Sequence, residues 1–86
     1  MAVKQNIHPG EILQEDFLKP MNLTTNGLAR AIGIQHAMIK QILGEKRSIS
    51  ADTAIRLSRF FGTTSEFWIN LQCEHDLRIS SSKKVQ

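Results

Sequence analysis

The sequence predicts an all-α fold: five helices with a tight helix-turn-helix pair at the centre. Three observations lead there. Apolar residues recur at three- and four-residue spacing, and no stretch alternates apolar with polar in the manner of a strand. Gly, Pro, Ser and Thr punctuate the chain at helix-length intervals. With 86 residues, one modest core is the default, and neither an internal repeat nor a second composition class breaks the chain.

The first helix opens at "HPGEIL". Pro9 suits the first helical position, where no N–H is needed. Glu11 stands three residues after His8, at the spacing for bonding back to the His8 N–H. Ile12, Leu13 and Phe17 supply an inward face, and Pro20 is expected to stop the helix. The second helix spans residues 25–32 with Thr24 as N-cap, Leu28 and Ile32 on one face, and Gly33 past its end. The third spans residues 35–43, and "GEKRSIS" is a polar loop opened by Gly44. Ser50 caps the fourth helix, whose Ala54, Leu57, Ser58 and Phe61 form one stripe before Gly62. The fifth begins in "TTSEFW", with Thr63 and Thr64 as competing caps, and "SSSKKVQ" reads as a frayed tail from residue 80.

Net charge is +3, but its distribution says more. Between Phe17 and Ser65 stand seven basic residues (Lys19, Arg30, Lys40, Lys46, Arg47, Arg56, Arg59) against two acids, Glu45 and Asp52. Glu11, Glu15 and Asp16 crowd the first helix. This is either ordinary surface charge or a face made for a polyanion. The single cysteine, Cys73, excludes an internal disulfide and suits a reducing compartment. No leader pattern and no apolar run of membrane-spanning length is present, so a soluble, cytoplasmic protein with no membrane partner is expected.

The short connection in "GLARAIGIQHAMIKQIL" forces two helices to cross steeply. Close approach needs a small residue on the first helix, and Ala29 fits. The turn needs positive φ, which Gly33 adopts without steric cost. Leu28, Ile32, Ile34, Ile39 and Ile42 anchor both helices from beneath. An ordinary helix pair in an all-α core could share some of this, but here all the offsets are met together. With Ile39 inward, Ala37 and Gln41 face outward, Lys40 lies on the flank, and Gln35 and His36 open the helix. Such a face fits the DNA major groove: Gln pairs with adenine, Ala meets a thymine methyl, and Lys reaches guanine or phosphate.

Residues 25–43 resemble the helix-turn-helix of the Xre/phage-repressor superfamily. "HPGEILQEDFLKP", "ADTAIRLSRFFGTTSEFW" and "FWINLQCEHDL" narrow the resemblance to the HigA/VapI antitoxins of HigBA-type modules, over nearly the whole chain. The resemblance implies a lambda-repressor-like domain over residues 1–79, with a flexible tail at 80–86. It implies a homodimer that binds a palindromic operator, represses its own operon, and neutralises a HigB-like, RelE-family toxin that cleaves mRNA. Carried onto this sequence, the base readers are Gln35, His36, Ala37, Lys40 and Gln41. The phosphate contacts are Thr24, Thr25 and Asn26 at a helix start, and Lys46, Arg47 and Ser48 in the loop.

The fifth helix has apolar residues on two sides. Phe67 and Leu71, with Trp68 beside them, can pack inward; Ile69, Cys73 and Leu77 form a second stripe that wants a partner. A twofold dimer meets that need and sets two recognition helices about 34 Å apart. No cofactor, metal or catalytic activity is expected. His8, His36 and His75 lack metal-ligand spacing, and His75-Asp76 beside serines lacks the strand-borne nucleophile turn of a triad. Two further functions stay open on the residues alone: a stand-alone repressor, and a protein-binding inhibitor that no longer reads DNA.

Overall fold

The computed structural model describes residues 8–83, with side chains placed for residues 8–80. Among the described residues there are five helices and no strand, as expected. Helix α1 covers residues 9–21, α2 Thr25–Ile32, α3 His36–Leu43, α4 Ala51–Phe61 and α5 Ser65–Lys83. Helix α5 therefore runs four residues into the segment read as tail; residues 84–86 lie outside the described residues.

The cap of α1 is the His8 imidazole itself, whose Nδ1 accepts the Gly10 N–H at 2.8 Å. Pro20 does not stop the helix. Residues Leu13–Leu18 widen into a π-helical turn, where the Lys19 N–H reaches the Gln14 carbonyl five residues back, and the helix continues through Lys19–Met21. The wider turn gives the proline ring room beside the carbonyl four residues behind it, where a regular α-turn has none. The end comes at Asn22, in the left-handed conformation (φ 54°), and the Leu23 N–H closes onto the Leu18 carbonyl at 2.9 Å.

All five helices feed one apolar cluster: Leu13 and Leu18 from α1, Leu28 and Ile32 from α2, Ile39 and Ile42 from α3, Ala54 and Leu57 from α4, and Trp68 from α5. Thr64 caps α5, accepting the Phe67 N–H at 3.1 Å, while Thr63 accepts the indole N–H of Trp68 at 2.8 Å. The two threonines thus divide the work: one ends the chain's turn, the other satisfies the only polar atom of a fully buried tryptophan. The buried line of α5 is Trp68 and Gln72, one turn apart; Leu71 packs against the core half-buried, as expected, and so does Ile69 from the stripe read as outward. Phe67 stays exposed at the rim of a ring cluster, 6.2 Å from Phe17.

One approach is closer than the sequence suggested. A Cβ on Gly10 would run into the backbone carbonyl oxygen of Ile42, so the first turn of α1 lies directly on α3. Gly10→Ala is therefore expected to destabilise the fold by about 1–3 kcal/mol, although alanine favours helix. Urea unfolding checks this, and an unchanged midpoint would contradict the contact.

Candidate nucleic-acid interface

Helix α2 begins at Thr24, whose hydroxyl accepts the Gly27 N–H at 2.9 Å. A Cβ on Gly27 would sit 3.1 Å from the Leu23 side chain and 3.2 Å from that hydroxyl, which accounts for a glycine in the helix. The helix ends at Gly33 with φ +73°, and the Gly33 and Ile34 N–H groups both return to the Ala29 carbonyl. Ala29 is buried, as the tight crossing requires. From α4, Arg56 reaches across: its Nη1 donates to the Ile32 carbonyl at 2.7 Å, while its Nε pairs with Asp52 at 2.9 Å. Arg56 satisfies carbonyls that a helix end leaves without partners. Counted by charge alone it belonged to a polyanion face; the structure spends it on the turn.

On α3, Ile39 and Ile42 are fully buried, and Gln35, His36, Ala37, Lys40 and Gln41 are all exposed. The five expected base readers therefore form one outward ridge. The helix closes with the Glu45 N–H on the Ile42 carbonyl (3.0 Å) and the Lys46 N–H on the Gln41 carbonyl (2.8 Å). The left-handed residue there is Glu45 (φ 64°), not Gly44 (φ −83°). This turn folds the loop back over the ridge, and the Arg47 Nε donates to the Gln41 Oε1 at 2.8 Å. Lys46, Arg47 and Ser48 are exposed beside the ridge; Thr24 and Asn26 are exposed, and Thr25 is half-buried, at the start of α2.

The loop is held from behind by buried polar groups. Gln72 accepts the Ile49 N–H at 2.9 Å through Oε1, and its Nε2 donates to Asp76 at 2.9 Å. His8 lies 4.9 Å from His75, ring edge to ring face. His8, His75, Gln72 and Asp76 line a cavity of about 160 Å³ with loop residues Glu45 to Ser48. Burial, and then the nearby His75, push the His8 pKa below its ordinary value of 6.5; Glu45, Asp76 and a hydrogen bond with the Arg47 backbone oppose this. The Gly10 N–H on Nδ1 requires the neutral ring to carry its proton on Nε2.

Residues 15–69 match the helix-turn-helix family. Virulence-associated protein I of Dichelobacter nodosus is 46% identical over 78 residues, covering 91% of this chain and 72% of the relative. An addiction-module antidote protein of the HigA family from Coxiella burnetii superposes with a TM-score of 0.88 at 45% identity, over 93% of this chain and 87% of that one. The antitoxin HigA of Pseudomonas aeruginosa, solved with the higBA promoter, gives 0.89 at 44% identity, over 91% and 85%. This chain belongs to the HigA-type helix-turn-helix antitoxins. 

On this HigA-type scaffold the outer face of α5 is open. Ile69 is half-buried, Cys73 exposed, and Leu77 is 63% exposed. With Ile49, Gln72, Asp76 and Ser80 they line a shallow groove of about 320 Å³. Among the described residues no three His, Cys, Asp or Glu side chains are grouped to hold a metal ion, and no helix is long and apolar enough to cross a membrane. His75 and Asp76, adjacent to serines in sequence, are drawn instead into the cluster behind the loop.

The residues missed by pattern reading are His8, Gly10, Arg56 and Gln72. Three are polar groups whose partners lie 23 or more residues away or across the fold, which no local spacing reveals. Gln72 alone left a trace, one turn beyond Trp68 on its buried line.

Burial lowers the His8 pKa on folding from its ordinary 6.5, so around and below that pH the unfolded chain binds more protons than the folded one. Stability is expected to fall from pH 7.5 to 5.5, and to fall less in His8→Asn, which keeps a capping oxygen and removes the titration. Thermal melts at both pH values check this; parallel losses in the two proteins would contradict it.

Proposed function

We propose that this chain is a homodimeric autorepressor that reads its operator with α3 and neutralises a HigB-like, RelE-family toxin. The observation that carries the reading is the exposed ridge of Gln35, His36, Ala37, Lys40 and Gln41 that follows the Gly33 turn. In this reading the ridge enters the major groove. Thr24, Thr25 and Asn26 meet phosphates at the N-terminus of α2, where unpaired N–H groups favour anions. Lys46, Arg47 and Ser48 meet phosphates from the loop. Thr24 uses its oxygen as the helix cap and keeps its hydroxyl proton to donate. The solved HigA with its higBA promoter supports the operator as partner; the antitoxin names of the relatives support the toxin. The working place is then the cytoplasm, on the nucleoid.

The dimer uses the open face of α5. Ile69, Cys73 and Leu77 of two copies meet about a twofold axis, which pairs two recognition helices with two half-sites. Leu77→Glu sets a charge at the centre of that face. Sedimentation at micromolar concentration is expected to show a dimer for the unaltered chain and a shift to monomer for Leu77→Glu; monomer in both would overturn the interface.

Gln41→Ala is expected to cost about 1–3 kcal/mol on the operator and little on scrambled duplex. Lys46→Ala weakens binding to both and lowers the salt slope by about one. Equal losses on both duplexes for Gln41→Ala would remove it from the base readers. Co-expression with the protein of the neighbouring reading frame tests the toxin: relief of growth arrest is expected, and unrelieved arrest leaves a stand-alone repressor.

A further inference from the structure

We infer that Gln72 is a positioning residue that couples closure of the dimer face to the order of the phosphate-binding loop, so that dimer formation and operator binding strengthen each other within each protomer. This rests on the operator-reading dimer proposed above and goes beyond it. The wall between the two surfaces is one side-chain pair thick. Gln72 and Asp76 line the cavity behind loop residues Glu45 to Ser48. The same two residues line the groove where Ile69, Cys73 and Leu77 meet the second copy, and Ile49, which follows the loop, reaches that groove too.

Gln72 is 6% exposed and Ile49 3%. The amide fits one way round. The Ile49 N–H needs an acceptor, so Oε1 faces it at 2.9 Å; the Asp76 carboxylate needs a donor, so Nε2 faces its Oδ1 at 2.9 Å. The loop is thus pinned at its far end by Gln72, as it is at its near end by the Lys46 N–H on the Gln41 carbonyl. Asp76 is the open member of this chain. Its side chain is 60% exposed, and water competes there for the carboxylate. A second copy seated on Ile69, Cys73 and Leu77 covers the groove and keeps water from the Gln72–Asp76 bond. In the less polar surroundings that bond strengthens, and the amide is held toward Ile49. Lys46, Arg47 and Ser48 are then ordered before DNA arrives, and the entropy of ordering them no longer opposes binding. Such coupling is reciprocal: DNA that orders the loop tightens the dimer by the same factor.

The test is the dimer dissociation constant of the full chain, from fluorescence-detected sedimentation over a dilution series, with and without a saturating duplex of one operator half-site. A half-site engages one protomer only, so bivalent binding cannot tighten the dimer. Repulsion between two bound duplexes acts alike on every variant, so the variants are compared with one another. Relative to Asp76→Ala, half-site duplex is expected to tighten the unaltered dimer by about fivefold or more. Gln72→Met, which keeps the bulk and loses the amide, responds as Asp76→Ala does. Asp76→Asn keeps an acceptor oxygen for Nε2 and retains the response. A purely structural role for Gln72 would weaken the dimer equally with and without DNA. The inference is overturned if the unaltered chain and Asp76→Ala respond alike; Asp76 is exposed, so this comparison stands even if Gln72→Met fails to fold. An unaltered chain that is monomeric throughout overturns the dimer face, and one that binds no operator duplex overturns the DNA-reading function, both results distinct from the first.

Discussion

The structure depends on a left-handed turn. At Gly33 the chain reverses in a single residue with φ +73°, and the two following elements take their positions from it. Ala29 lets α3 come close, and Ile39 and Ile42 then fill the space beneath. What remains on the far side of α3 is polar by elimination. The turn also leaves carbonyl groups open at the end of α2, and Arg56 closes them from the next helix but one. A cation placed there satisfies the hydrogen bonds and complements the negative end of the helix dipole. Helices α2, α3 and α4 are thereby fixed as one unit before any contact with a partner.

A domain of this length buries too little apolar surface to position its loops by packing alone. Its buried polar side chains compensate. Gln72 satisfies an amide of the loop that carries Lys46, Arg47 and Ser48, and His8 meets the same loop from α1. The Gly10 turn rests on α3 at Ile42. The interface is therefore supported from both ends of the chain, by α1 and by α5. Glu45 holds a conformation that disfavours any side chain, at a cost of about 1–2 kcal/mol. That strain is stored at the point where the loop bends back over the ridge.

What could be read from the sequence was what acts locally. The caps at Thr24 and Ser50, the turn at Gly33 and the inward isoleucines of α3 are short-range features, and each stands where spacing put it. The outward face of α3 followed from the same geometry. The helix that survives Pro20 was not legible, because a widened turn leaves no signature in residue types. The left-handed residue at Glu45 was not legible either, because residue type gives no signal for positive φ at a glutamate. The roles of Arg56 and Gln72 were not legible, because their partners come from distant segments. The amphipathic reading of α5 failed at Phe67 because apolar residues surround that helix, and only packing on α1 and α4 selects the buried line.

The central claim is that the handedness of one turn sets the reading ridge. The most direct measurement replaces Gly33 with L-alanine and, by chemical ligation, with D-alanine, and records thermal stability and preference for the operator over scrambled duplex. Positive φ is natural for the D residue and strained for the L residue, whose Cβ would also lie 3.0 Å from the Arg56 guanidinium. D-alanine is expected to keep both stability and preference, while L-alanine loses about 1–2 kcal/mol of stability and much of the preference. Equal behaviour of the two variants would contradict it.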